Sequence, residues 1–126
     1  MANARTMKVL VVDDQQSMRG LARQCLTRLG IRSVEMVPSA EDALKSLEKN
    51  KFDLIISDLN MDGMSGTDLL NKVRTHPVLK DMPFLLATSE CYRPEEDFDK
   101  KSGFVAKPFS VAGLKTVMQE VMGSLN

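Results

Sequence analysis

Two kinds of hydrophobic pattern take turns along this chain. The first is the short unbroken apolar run: Val9-Leu10-Val11-Val12, Leu54-Ile55-Ile56, Phe84-Leu85-Leu86-Ala87 and Phe104-Val105-Ala106. Runs this short and apolar throughout read as strands covered on both faces, as in a parallel sheet. Val34-Glu35-Met36-Val37 differs by alternating, and reads as a strand nearer an edge. The second pattern is apolar residues at helical spacing. Met18, Leu21, Ala22, Cys25, Leu26 and Leu29 predict a first helix, stopped by Gly30. Ser39 suits an N-cap, with Ala40, Ala43, Leu44 and Leu47 as the stripe behind it. Leu69, Leu70 and Val73 predict a third helix, which Pro77 helps to end. Ser110 caps a last one with Val111, Leu114, Val117, Met118, Val121, Met122 and Leu125 inward.

Strands that alternate with helices predict an α/β fold with right-handed crossovers, a doubly wound five-stranded parallel sheet. One stretch breaks the rhythm, from Cys91 to Gly103. Pro94-Glu95-Glu96 suits the first turn of a helix. The only large apolar side chain inside that turn and the next is Phe98. A helix with one anchor buries little, so this one is expected to be short or poorly ordered.

Composition narrows the classes. The 126 residues suit one domain, 1–126, with residues 1–6 as a flexible start. A hydrophobic content of 43% is enough for a core, and 17 acids against 17 bases leave no net charge. That balance lacks the basic footprint of nucleic-acid binding. Arg19, Arg23, Arg28 and Arg32 read as the wet side of the first helix region rather than a nucleic-acid stripe. No apolar run has membrane-spanning length, and Met1 to Met7 lack the apolar centre of a signal peptide. Cys25 and Cys91 have no metal-like spacing and read as inert thiols, in keeping with a cytoplasmic protein. His76, beside Pro77, reads as a solvated helix end.

The candidate chemistry lies where the strands stop. Asp13 and Asp14 end the first, Asp58 the third, Thr88 the fourth and Lys107 the fifth. In a parallel sheet these ends share one edge, and open α/β sheets place ligands there. Each residue has an ordinary explanation: a helix cap, a loop acid, a backbone-bonded hydroxyl, a surface lysine. Their order along one alternation is the stronger signal. Three carboxylates in one crevice repel unless a cation lies between them. An incomplete oxygen cage suits Mg²⁺ completed by phosphate. Asp58 is then the candidate nucleophile for a phosphoryl group, with Lys107 to neutralise charge.

Val11-Val12-Asp13-Asp14, Ser57-Asp58-Leu59-Asn60-Met61, Ala87-Thr88-Ser89-Glu90 and Val105-Ala106-Lys107-Pro108-Phe109 together resemble the response-regulator receiver domains. The resemblance runs over essentially the whole chain, and is strongest to the single-domain CheY-like chemotaxis regulators. It implies strand order 2-1-3-4-5. It implies that Asp58 accepts a phosphoryl group from a histidine kinase or histidine phosphotransfer protein. Asp14, Asp58 and the carbonyl of Asn60 would bind Mg²⁺, Asp13 acting through water. Thr88 and Lys107 would bind the acyl phosphate, the Lys107-Pro108 bond would be cis, and Thr88 and Phe104 would form the switch. The implied partner is a target protein such as the flagellar switch, met by a monomer that is a signalling domain rather than an enzyme turning over a separate substrate.

Two departures stand out. Asp62 replaces the proline common in the family after Met61, and the 90–102 segment is acidic and a few residues shorter than in CheY-like proteins. The second departure leaves room for a phosphorelay intermediate or phosphate sink without a flagellar target. A Mg²⁺-dependent phosphohydrolase is a third reading, but its acid two residues after the nucleophile is here Asn60.

Overall fold

The computed structural model describes residues 6–61, 63–88 and 101–122. Its elements are β1 (Lys8–Val12), α1 (Gln16–Arg28), β2 (Ser33–Val37), α2 (Ala40–Lys49), β3 (Leu54–Asp58), α3 (Gly66–Thr75), β4 (Phe84–Thr88), β5 (Ser102–Ala106) and α4 (Val111–Met122). All strand pairs are parallel, in the order β2-β1-β3-β4-β5. The expected doubly wound sheet is therefore present, with the alternating strand β2 at one edge.

Side chains of a strand point alternately to its two faces, and each face here has its own core. Val9, Val11, Leu54, Ile56, Leu85, Ala87 and Val105 pack with α1 and α4 through Ala22, Leu26, Leu114 and Met118. Leu10, Val12, Ile55, Phe84 and Leu86 pack with α2 and α3 through Ala43, Leu47, Leu69 and Val73. Burying each such side chain contributes about 1.5–3 kcal/mol before conformational entropy is set against it. The central strands β3 and β4 are buried at every position, as their unbroken apolar runs require.

The helix ends follow local chemistry. Gly30 ends α1 at φ +90°, a conformation that side chains avoid. Its N–H donates to the Thr27 carbonyl and that of Ile31 to the Leu26 carbonyl, which closes the last turn in a Schellman arrangement. Ser39 caps α2, accepting from the Asp42 N–H at 3.1 Å. Ser65 and Asp68 cap α3 reciprocally. The Ser110 hydroxyl accepts the Gly113 N–H at 3.0 Å at the head of α4. His76 is the exposed C-cap of α3, and its Nδ1 accepts from the Val78 and Leu79 N–H groups.

Two expectations change. β5 begins at Ser102, two residues before the predicted start at Phe104. The sequence reads Ser102-Gly103 as a loop, but a Cβ on Gly103 would lie 3.0 Å from Val117 and 3.2 Å from Val121. Glycine is there because α4 crosses the strand closely. Arg19 is half-buried rather than on the wet side of α1; Arg23, Arg28 and Arg32 are exposed as expected. Cys25 is a buried free thiol. Cys91, Asp62, Leu125, most of the 90–102 segment expected as a short helix, and residues 1–5 of the start expected to be flexible lie outside the described residues. No helix among the described residues is long and apolar enough to cross a membrane.

Candidate functional site

The register brings the strand ends together. Val12 of β1 pairs with Ser57 of β3, Asp58 with Ala87 of β4, and Thr88 with Ala106 of β5. Each strand therefore hands over to its loop at nearly one level. The Leu59 N–H bonds the Ala87 carbonyl at 2.9 Å, and the Lys107 N–H bonds the Thr88 carbonyl at 2.9 Å. These bonds carry β3 one residue beyond Asp58 and β5 one residue beyond Ala106, and they engage the Thr88 carbonyl, so the Asp58 and Thr88 side chains leave from fixed backbone. A cleft of about 330 Å³ opens at this edge, lined by Asp14, Gln15, Met18, Asp58, Asn60, Thr88, Lys107 and Pro108.

The charged groups inside the cleft are tightly arranged. Lys107 Nζ lies 2.9 Å from Asp13 Oδ2 and 3.1 Å from Asp58 Oδ1. One oxygen from each of Asp13, Asp14 and Asp58 lies within 4.8 Å of the others. Asp13 is 2% exposed and Asp58 9%, while Asp14 is open to solvent. Burial pushes the Asp58 carboxyl above its ordinary value; the Lys107 hydrogen bond opposes this, and the charges of Asp13 and Asp14 add to it. Burial works against the Lys107 ammonium, but its hydrogen bonds to Asp13 and Asp58 prevail and hold its pKa high. Burial thus decides the shift at Asp58, and pairing decides it at Lys107.

The backbone of Asp58 is held as firmly as its side chain. Ser57, fully buried, donates its hydroxyl to the Asp58 carbonyl at 3.0 Å. On the same carbonyl sits Gly66, where a Cβ would stand only 2.1 Å from the oxygen and 2.9 Å from Leu86 Cδ2. The Gly66 N–H also bonds the Leu59 carbonyl at 3.0 Å. Only a residue without a side chain lets α3 begin so close to the strand end.

All five strand-end residues meet here, with Asn60 beside them. Asp13 is not a helix cap. The N-cap of α1 is Gln15, which makes no side-chain cap bond, and its N–H donates to Asp13 Oδ1 at 2.9 Å. Phe104 pairs with Leu86, two residues before Thr88, and packs on the α2–α3 core. Alternation puts Thr88 on that same face. The Lys107-Pro108 bond is cis. Sequence reasoning missed Gln15 and Met18 in the lining and Gly66 beneath the acid. Spacing from Asp13-Asp14 onto the first helical turn could have flagged the first two. Gly66 was visible only as loop punctuation.

Residues 9–119 match the sequence model of the response regulator receiver domain. The chain is 35% identical to chemotaxis protein CheY-3 of Vibrio cholerae serotype O1 over 124 residues, 96% of this chain and 95% of that protein. It is 35% identical over 123 residues to chemotaxis protein CheY of Pseudomonas aeruginosa, covering 95% and 99%. The solved structure of chemotaxis response regulator CheY4 of Vibrio cholerae superposes with a TM-score of 0.79 at 34% identity, covering 97% of this chain and 99% of that one.

Proposed function

The chain belongs to the response regulator receiver family, and on that footing we propose that it is a phosphoryl-accepting signalling switch of chemotaxis. The observation that carries this is Asp58 itself. It ends the central strand β3, lines an open cleft, and has Lys107 at 3.1 Å and Thr88 beside it. Lys107 holds Oδ1, which leaves Oδ2 as the attacking atom. In the proposed step the Asp58 oxygen attacks phosphorus, the nitrogen–phosphorus bond of a donor phosphohistidine breaks, and the imidazole leaves with the bonding pair. Lys107 and the Thr88 hydroxyl then bind the phosphoryl oxygens. Their contacts are stronger as charge builds on those oxygens, which is what lowers the barrier.

The donor set fits a hard divalent cation. Three carboxylates against one ammonium leave excess negative charge, and the oxygens of the three acids already lie within 4.8 Å. Asp14, Asp58 and the Asn60 carbonyl would hold Mg²⁺, with Asp13 behind them through water. Bound there, the ion neutralises charge on the phosphoryl group. Asp13 is set back by its own bonds, since Gln15 and Lys107 occupy its two oxygens.

Thr88 and Phe104 form the switch in this reading. A hydroxyl drawn toward the phosphoryl group vacates space above the Phe104 ring, and the two lie on one face of β4 and β5. The protein acts as one domain and as a monomer in the cytoplasm. It takes phosphoryl groups from a histidine kinase or histidine phosphotransfer protein and presents its altered face to a target such as the flagellar switch. The acidic sequence Glu95-Glu96-Asp97-Phe98-Asp99 favours a second reading, a relay intermediate or phosphate sink with another partner. Partner capture with and without beryllofluoride separates the two.

The test of the chemistry is incubation with Mg²⁺ and a small acyl phosphate. The wild type should take up one phosphoryl group per chain and Asp58→Asn none. Labelling that survives in Asp58→Asn sinks the proposal, and continued turnover of the donor points to a phosphohydrolase instead.

A further inference from the structure

Arg19 is the arginine of α1 that the fold turns inward. Its Nη1 donates to the Asp13 carbonyl at 2.5 Å, one and a half turns back along the chain. That carbonyl is half of the peptide joining Asp13 to Asp14. The remaining polar atoms of Asp13 are also fixed. Its N–H donates to the Val37 carbonyl at 3.1 Å, Oδ1 accepts from the Gln15 N–H at 2.9 Å, and Oδ2 meets Lys107 at 2.9 Å. Asp14 projects from the other half of the gripped peptide, exposed, into the cleft. A planar guanidinium that stays charged at all working pH values is well suited to hold a carbonyl in one orientation.

We propose that Arg19 is a positioning residue for the cation site: by fixing the 13–14 peptide it aims Asp14 at the place where its carboxylate meets that of Asp58. The proposal rests on the reading that the acid cluster binds a divalent cation. It goes beyond that reading by assigning the site's geometry to a cationic side chain that does not line the cleft.

The sign of the effect separates positioning from simple charge. A positive group near a cation site repels the ion, so removing it tightens binding if charge alone matters. Removing a group that aims a ligand loosens binding. Mg²⁺ is titrated into metal-free wild type, Arg19→Gln and Arg19→Lys, with the Asp14 and Asp58 backbone amides followed by NMR. Thermal unfolding is recorded without metal in parallel. Arg19→Gln should bind Mg²⁺ about tenfold more weakly, the worth of one charge-assisted hydrogen bond. Arg19→Lys, which keeps the charge but loses the planar fork, should be weakened by a smaller factor.

Tighter or unchanged Mg²⁺ binding in Arg19→Gln overturns the proposal. A lowered melting temperature with an unchanged dissociation constant overturns it as well, since that marks a purely structural bond. If Arg19→Gln does not fold, Arg19→Lys decides by the same criterion of weakened or unchanged affinity. A wild type that fails to bind Mg²⁺ is a different result: it removes the cation reading itself, and this proposal with it.

Discussion

At the N-terminal edge of the sheet, Arg74 reaches from the last turn of α3 to the Met82 carbonyl at 2.7 Å, the Lys80 carbonyl at 3.2 Å and the Ser102 hydroxyl at 2.6 Å. At the opposite edge, Lys107 stands between two carboxylates with a third nearby. Both are single cations collecting several oxygens in half-dry surroundings. The acceptors described for Arg74 are neutral oxygens. Lys107 meets more negative charge than it can balance; burial pushes the Asp58 carboxyl up, and the charges of Asp13 and Asp14 add to it. One edge is satisfied and ties the fold together. The other is left with excess charge that a ligand can relieve. The comparison teaches that the same sheet ends can serve stability or chemistry, depending on whether the charge closes locally.

The strongest way to break this contrast is at Gly66. Gly66→Ala drives a methyl group against the Asp58 carbonyl, 2.1 Å away before relaxation. Overpacking of this kind costs about 3 kcal/mol. It should also displace Asp58, so urea unfolding and phosphoryl uptake should fall together. A variant with normal uptake would show that the acid's backbone is not held from this side.

Arg74→Met comes next. Losing its bonds to neutral oxygens should cost about 2 kcal/mol by urea unfolding, with Mg²⁺ affinity unchanged. A change in Mg²⁺ affinity would mean that the two edges are not independent.

The smallest effect is a pH slope. The folded-state pKa of Lys107 is raised, so its contribution is fully present below the unfolded lysine value and is lost as pH rises through the folded one. The difference in stability between wild type and Lys107→Met, without metal, should therefore hold steady at neutral pH. It should shrink once pH passes about 10.4. A difference that grows in alkali would contradict the pairing.

The polar contrast also explains what could be read from the chain beforehand. Apolar runs and helical stripes were enough for the five strands and for the four helices described, because burial imposes a period on sequence. Asp13, Asp14, Asp58, Thr88 and Lys107 were legible because a parallel sheet turns the ends of runs into neighbours. What escaped notice depends on approach between distant segments. Gly66 and Gly103 look like loop glycines until a helix lies against them, and Arg19 has the spacing of a surface residue until its guanidinium finds the Asp13 carbonyl. Arg74 gave no signal, because the Lys80, Met82 and Ser102 acceptors come from two stretches that periodicity does not connect.

The sheet also acts as a partition. Thr88 and Phe104 share the side that holds α2 and α3, while Ala87 and Val105 face α1 and α4. The rearrangement proposed for the first pair would thus be written into one compartment only. The opposite compartment, with Gly103 pressed against Val117 and Val121, would then be the wall against which the proposed movement is measured.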